Sequence, residues 1–263
     1  IMSFDLFIFE RRKDIKTSLD VFNYYDEFIE YKENKDYNSL HGCSDIIVAW
    51  AKKMFEKFPP MNGKYALSDE IAYASKDTEN HLTDYSFGKN GVYCAFSYNV
   101  ATEVLKFLKN TAEQYGMGVY NLATGEIFCE NLDILKYSTK STGDTLCDWN
   151  TIENSIATLD IPERGIIKDQ FAFITIWFEN DSTASESNYI QCTPNYVPNG
   201  FFARLFNKDA SNNISGYFFE IAKDDALYQT LVQDKNKLKI LIKNWCIERK
   251  ELDINTYKKI LDL

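Results

Sequence analysis

Over residues 2–9 apolar and polar positions alternate with a period of two: Met2, Phe4, Leu6 and Ile8 oppose Ser3, Asp5, Phe7 and Phe9, which predicts an opening strand. The period then lengthens. Across residues 16–33, Leu19, Phe22, Tyr25 and Ile29 fall on one helical face, and Thr17 followed by Asp20 gives a capping-box start. A second helix is predicted over 44–58, where Ile47, Trp50, Ala51, Met54, Phe55 and Phe58 form a stripe that Pro59 and Pro60 end. After a loop with an Asn62-Gly63 turn signal, a turn at 88–91 leads into a strand in which Val92, Cys94, Phe96 and Tyr98 alternate with Tyr93, Ala95 and Ser97. Asn99 opens a helix to Tyr115, and Gly116 suits a left-handed stop. Residues 117–130 read as two strands about a Thr124-Gly125 turn. Residues 1–130 are thus predicted as one unit, β-α-α-β-α-β-β, with a right-handed crossover through the helix at 100–115.

Residues 131–163 change character: a polar, turn-rich run precedes a short helix capped by Asp148 with Trp149, Ile152, Ile156 and Leu159 inward, and the segment is expected to be a partly helical linker. From 164 to 263 strands dominate. Residues 169–180 form a strand apolar on both faces, expected at the centre of a sheet, and 187–195, 200–209 and 213–222 follow at about ten-residue spacing, an antiparallel meander. Asp224 then caps a helix carrying Leu227, Leu231, Leu238, Leu241, Ile242 and Trp245, and Asp253 opens a last one through Tyr257, Ile260 and Leu261. The fold class is α+β in two units, and a length of 263 residues accommodates both.

Composition narrows the function. With 45% hydrophobic and 26% charged residues the chain can build a core, and its 19 Phe and 17 Tyr are expected mainly inside it. The net charge is −10, and both halves carry it: residues 1–130 hold 14 basic against 20 acidic residues, and residues 131–263 hold 15 against 19. Nucleic acid and anionic membrane demand cationic patches, so neither is an expected partner, whereas a basic protein is. Six cysteines at 43, 94, 129, 147, 192 and 246 never fall as C-x-x-C and are expected to be reduced, buried thiols of a cytoplasmic protein. Neither a secretory leader nor a membrane span is expected.

Candidate chemistries are thin. Only His41 and His81 are present; His41-Gly-Cys43 supplies two ligands where a zinc site needs four, so no metal is expected. As a nucleophile pair, Cys94 with His81 or Cys43 with His41 would need the thiol at a helix N-terminus or beside a cation, and Cys94 lies mid-strand on the apolar face, where a buried inert thiol is expected. Gly88-Lys89 lacks both the phosphate-loop spacing and the following helix, and Gly116-Met-Gly118 lacks the third glycine of a dinucleotide fingerprint, so no cofactor is expected. Asp69-Glu70, Asp77 with Glu79, and Asp224-Asp225 are paired carboxylates, which glycosidase-type chemistry would need about 5–9 Å apart across a cleft with one pKa raised. Trp177 is expected in the core. The segment 179–188 holds Glu179, Asp181 and Glu186 with no basic residue, and is the candidate docking edge for a cationic partner. Residues 235–250 gather Lys235, Lys237, Lys239, Lys243, Arg249 and Lys250 against Glu248, a basic helix face expected to meet its own helix end and solvent.

Two sets of motifs carry a resemblance. MSFDLFIF, FPPMNG, LTDYSFGKNGVYCAFSY and YGMGVYNLATGE resemble uncharacterised bacterial proteins that open M-S-[FY]-D-L-[FY]. NYIQCTPN, then FFARLFNK, ISGYFFEIA, a helix and Trp245 are similar in order to immunity proteins found beside polymorphic toxins in bacteria. The resemblance implies a cytoplasmic antidote that binds and occludes a toxin domain, with no catalytic residues to transfer. An acidic inhibitor would meet a basic toxin by electrostatic steering. Arg204 and Lys208 depart from the acidity expected of a toxin-facing strand. Two other classes stand beside it: a carboxylate-dependent hydrolase of carbohydrate or a small amide, and a ligand-binding sensor.

Overall fold

The structure, a computed structural model, describes residues 3–160, 172–179, 188–196 and 214–263. It is α+β, with two antiparallel sheets. The chain divides into two compact units, Ile1–Leu132 and Asp133–Leu263.

The first unit is organised by β1 (Ser3–Glu10), which is buried on both faces. Its neighbours are β2 (Asp84–Phe87), β3 (Gly91–Ser97), β4 (Met117–Asn121) and β5 (Ile127–Phe128) in the order β2-β3-β1-β4-β5. β1 is antiparallel to both β3 and β4, so those two run parallel across it, joined by helix α5 (Ala101–Tyr115). On one face Phe4, Leu6 and Ile8 pack with Cys94, Phe96, Val104, Leu108 and the α2 (Asp45–Phe55) residues Ile47, Trp50 and Met54. On the other, Phe7 meets Tyr24, Tyr25 and Phe28 of α1 (Ser18–Phe28), ring centroids 5.0–5.4 Å apart. The expected aromatic core is therefore present as two aromatic layers about one strand.

Local signals set these ends. The Thr17 side chain accepts from Asp20 N–H while the Asp20 carboxylate accepts from Thr17 N–H, the predicted capping box. The helix stops at Phe28, short of the expected Glu33, and Leu19, Val21 and Phe28 bury it while Ile29 is exposed. Ser44 caps α2. Gly116, at φ 64°, ends α5 in the left-handed conformation that glycine adopts without strain. The loop from 59 to 84 carries two short helices, α3 (Asp69–Ala72) and α4 (Lys76–His81), and β2, none of which the periodicity predicts.

Among the described residues the second unit forms a seven-stranded antiparallel sheet, and it includes most of the expected linker. β6 (Ile134–Thr139) and β7 (Thr145–Leu146) form a hairpin, and α6 (Trp149–Thr158), capped by Asp148, follows. The polar run at 138–145 is the turn of this hairpin, and β6 pairs with β8 (Ile174–Glu179). The remaining strands are β9 (Tyr189–Tyr196), β10 (Ile214–Lys223), β11 (Ala226–Val232) and β12 (Lys258–Asp262), giving β12-β11-β10-β9-β8-β6-β7. Helix α7 (Lys235–Cys246) packs on β10 and β11.

Two expected helices are corrected here. Residues 226–232 form a strand because Asp224 and Asp225 sit at φ 50° and 55°, both left-handed, the geometry of a tight hairpin turn; Asp234 caps α7 instead. Residues 258–262 pair with β11 as an edge strand after a 3-10 turn at Ile254–Thr256. β8 is central as expected, yet only its Ile174, Ile176 and Phe178 face is buried; Thr175 and Trp177 are half-buried on the other, which corrects the reading of Trp177 as core. The strand expected at 200–209 lies outside the described residues.

Candidate functional site

The predicted docking edge begins at Glu179, the last residue of β8. Its carboxylate lies 2.9 Å from Lys136 Nζ on β6, so a cation of the same sheet face matches its charge. Asp181 and Glu186 lie outside the described residues. Beside this pair runs a polar row in register across the sheet: Ser138, Thr175, Gln191, Glu220, Gln229 and Lys258. The Thr175 hydroxyl donates to Gln191 Oε1 at 2.9 Å, Gln191 Nε2 donates to Glu220 Oε2 at 3.1 Å, and Gln229 Nε2 donates to Glu220 Oε1 at 2.8 Å. The half-buried Glu220 carboxylate thus has both oxygens satisfied by neighbours, which suits a tie across four strands better than a group held ready for a ligand.

The basic helix face is likewise matched within its own unit. Lys235 pairs with Asp160, Lys239 with Glu153, Arg249 with Asp133 and Lys250 with Glu248. These carboxylates, three of them from before β8, replace the solvent expected there and leave no concentrated positive stripe.

The first unit presents a different surface. Thr83 N–H donates to Pro59 O at 3.0 Å and Met61 N–H to Thr83 O at 2.9 Å, which closes the neck of the loop 62–82. Gly63, at φ 84°, turns the chain so tightly that a Cβ would lie 2.9 Å from Asn38 O. The Ser75 side chain caps α4, Asn99 Nδ2 donates to Asn80 Oδ1 at 3.1 Å, and Ala72 and Leu82 are buried beneath. On this ordered base stand Met61, Tyr65, Ile71, Tyr73 and, from the turn before α5, Tyr98, with 43–61% of their surface open. Residues 61–84 carry Asp69, Glu70, Asp77, Glu79 and Asp84 against Lys64 and Lys76. Glu79 pairs with Lys76, while among the described residues no cation lies within ion-pair distance of Asp69, Glu70 or Asp84. Exposed tyrosines on a rigid support are the side chains that contribute most per residue to protein interfaces. The paired carboxylates Asp69-Glu70 and Asp77 with Glu79 are evident in the sequence, whereas no periodicity singles out Ile71 and Tyr73 between them.

Reactive groupings resolve into structural ones. His81 Nδ1 meets Asp77 O at 2.8 Å, Nε2 lies 3.4 Å from Glu103, and the ring stacks on Phe58 at 5.5 Å. Among the described residues no hydroxyl or thiol bonds to either ring nitrogen, so His81 ties α4 to α5 without a nucleophile. The shifted carboxylates all move down: hydrogen bonds from Lys57, Lys250 and Lys223 hold Glu103, Glu248 and Glu251 below the ordinary range. Burial alone would raise Asp160, but hydrogen bonds from Lys235 and Tyr217 outweigh it and lower it. None of these matches the raised acid that glycosidase-type chemistry requires. All six cysteines are free; burial pushes the thiols of Cys94, Cys147 and Cys192 upward and that of Cys246 up to about 12. Among the described residues no group of three or more His, Cys, Asp or Glu could hold a metal ion, and no helix is long and apolar enough to cross a membrane.

Comparison with family models, with curated proteins and with solved structures finds no match to this chain.

Proposed function

We propose that this chain is a cytoplasmic binding protein of the toxin-immunity kind, which docks a basic partner domain on the loop 61–84 together with Tyr98 and inhibits it by occlusion. One observation carries the reading: five exposed large side chains, three of them tyrosines, stand among five carboxylates and two lysines on or beside a loop already fixed at its neck and helix caps. Such a surface pays little ordering entropy on association, presents aromatic anchors, and steers a cationic partner toward them. The net charge of −10 adds to that steering.

Glu179, neutralised by Lys136, is assigned no part in this contact. The test is co-expression with the toxin-like product of a neighbouring gene. The proposal expects restored growth and a one-to-one complex that Ile71→Ala with Tyr73→Ala disrupts and Glu179→Gln leaves intact. Absence of a complex with any such product removes the proposal.

A further inference from the structure

The turn between α1 and α2 brings a lysine and a cysteine into direct contact. Lys35 Nζ lies 2.9 Å from Cys43 Sγ, 2.7 Å from Phe87 O and 3.1 Å from Ser39 O. Three acceptors thus meet the three protons of the ammonium group. Among the described residues no carboxylate lies within ion-pair distance of Lys35, and the sulfur stands where a carboxylate would ordinarily accompany a half-buried cation. A thiol beside a cation and partly open to solvent is the environment in which cysteines react. The backbone around it is fixed: Cys43 N–H donates to Leu40 O at 3.2 Å, and Ser44 N–H donates to Lys89 O at 2.8 Å while its side chain caps α2. Cys94, Cys147, Cys192 and Cys246 are buried, and half-buried Cys129 has its thiol pushed up by burial.

We propose that Cys43 and Lys35 form a redox modification site in which hydrogen peroxide joins the two side chains through a single bridging oxygen, as N–O–S. In the first step the sulfur attacks peroxide: an S–O bond forms, the O–O bond breaks, and one water leaves with the thiol proton, giving a sulfenic acid. In the second step the Lys35 amine, having released its extra proton to solvent, forms an N–O bond to the sulfenic oxygen. A second peroxide takes the two electrons and, with the sulfenic hydrogen and one amine hydrogen, leaves as two waters. Two peroxides are consumed and three waters formed overall. A separation of 2.9 Å is too long for a direct S–N bond, and one bent oxygen closes it after a small approach of the two side chains. Because Lys35 also reaches Phe87 O, the bridge would lock this turn beside the end of β2.

The experiment exposes the intact protein to graded hydrogen peroxide, blocks remaining thiols by alkylation, and reads peptides by mass spectrometry after cleavage at glutamate and, separately, at lysine. The expected product is a peptide spanning 34–56 that has gained one oxygen and lost two hydrogens. It should resist cleavage after Lys35, escape alkylation at Cys43, and return to its original mass with dithiothreitol. Lys35→Met should abolish it; Cys43→Ser should abolish it with the fold intact. The proposal is overturned if Cys43 in the unsubstituted protein remains alkylatable at peroxide levels that oxidise Cys129. It is equally overturned if Cys43 only accumulates oxygens while Lys35 stays cleavable.

Discussion

Glu220 offers the sharpest test of whether the polar row of the second sheet is a structural tie or an open binding surface. Its two carboxylate oxygens accept from Gln191 Nε2 at 3.1 Å and Gln229 Nε2 at 2.8 Å. Glu220→Ala removes both charge-assisted bonds and leaves two amide groups without their acceptor. Hydrogen bonds to charged groups contribute about 1.5–3 kcal/mol each when buried; halving this for a half-buried row gives a loss of roughly 1.5–3 kcal/mol for the two together. Glu220→Gln behaves differently. A flip of the Gln229 amide lets Thr175 donate to Gln191, Gln191 to the new amide oxygen, and the new amide nitrogen to Gln229, so every bond is remade and the loss stays below about 1 kcal/mol. The assay is urea unfolding followed by tryptophan fluorescence, since Trp149, Trp177 and Trp245 all belong to the second unit and only Trp50 to the first. The alanine variant should lower the midpoint with an unchanged slope. Equal losses for the two variants, or a loss below about 0.5 kcal/mol for alanine, would refute the tie.

Four further outcomes follow from the same structure. Gly118→Ala places a Cβ 2.2–2.8 Å from ring carbons of the fully buried Phe9, so it should cost about 1–3 kcal/mol or more and be partly rescued by Phe9→Leu. Gly116→Ala meets no atom within 4 Å and should cost only its backbone strain at φ 64°, about 1–2 kcal/mol, with no rescue, as urea midpoints will show. Stability should fall in alkali: the thiols of Cys94, Cys147, Cys192 and Cys246 and the hydroxyls of Tyr24, Tyr93 and Tyr217 hold their protons more tightly folded than unfolded. Their stabilisation is complete below the unfolded values, near ~8.5 for thiols and ~10 for tyrosines, and is lost above them at roughly 1.4 kcal/mol per group per pH unit. Urea midpoints in reductant should therefore drop between pH 8 and 10, and Cys192→Ala should flatten the drop. Glu179→Gln breaks one half-exposed ion pair and should move the midpoint by no more than about 0.5 kcal/mol.

The sequence made legible those elements whose ends are decided locally. Thr17 with Asp20, Ser44, Asp148 and Gly116 each fix a helix boundary through their own side chain or φ, and the strands at 92–97, 189–196 and 214–223 follow their alternation. Where pairing decides, the pattern misleads. Leu227 and Leu231 stand four apart behind Asp224 and mimic a capped helix, but two left-handed aspartates turn the chain into a hairpin and the pairing with β10 wins. Tyr257, Ile260 and Leu261 likewise suggest a helical face behind Asp253, but Lys258–Asp262 is an edge strand with every residue exposed, where no buried face enforces an alternation. The candidate docking surface was illegible for a related reason. Tyr73 and Tyr85 are the same residue type twelve positions apart within or beside that loop, yet one is 60% exposed and the other donates to Phe58 O from the core at 2.8 Å. Only the closure of the loop neck by Pro59, Met61 and Thr83 determines which ring faces outward.

The most direct measurement is calorimetric titration of the toxin-like product of a neighbouring gene into this protein, repeated for Ile71→Ala with Tyr73→Ala and for Glu179→Gln. Docking on the acidic loop predicts one-to-one binding that weakens as salt rises, a loss of at least about 2 kcal/mol in the loop variant, and none in the Glu179 variant. An unchanged affinity in the loop variant, or binding indifferent to salt, would place the contact elsewhere and contradict the proposed surface.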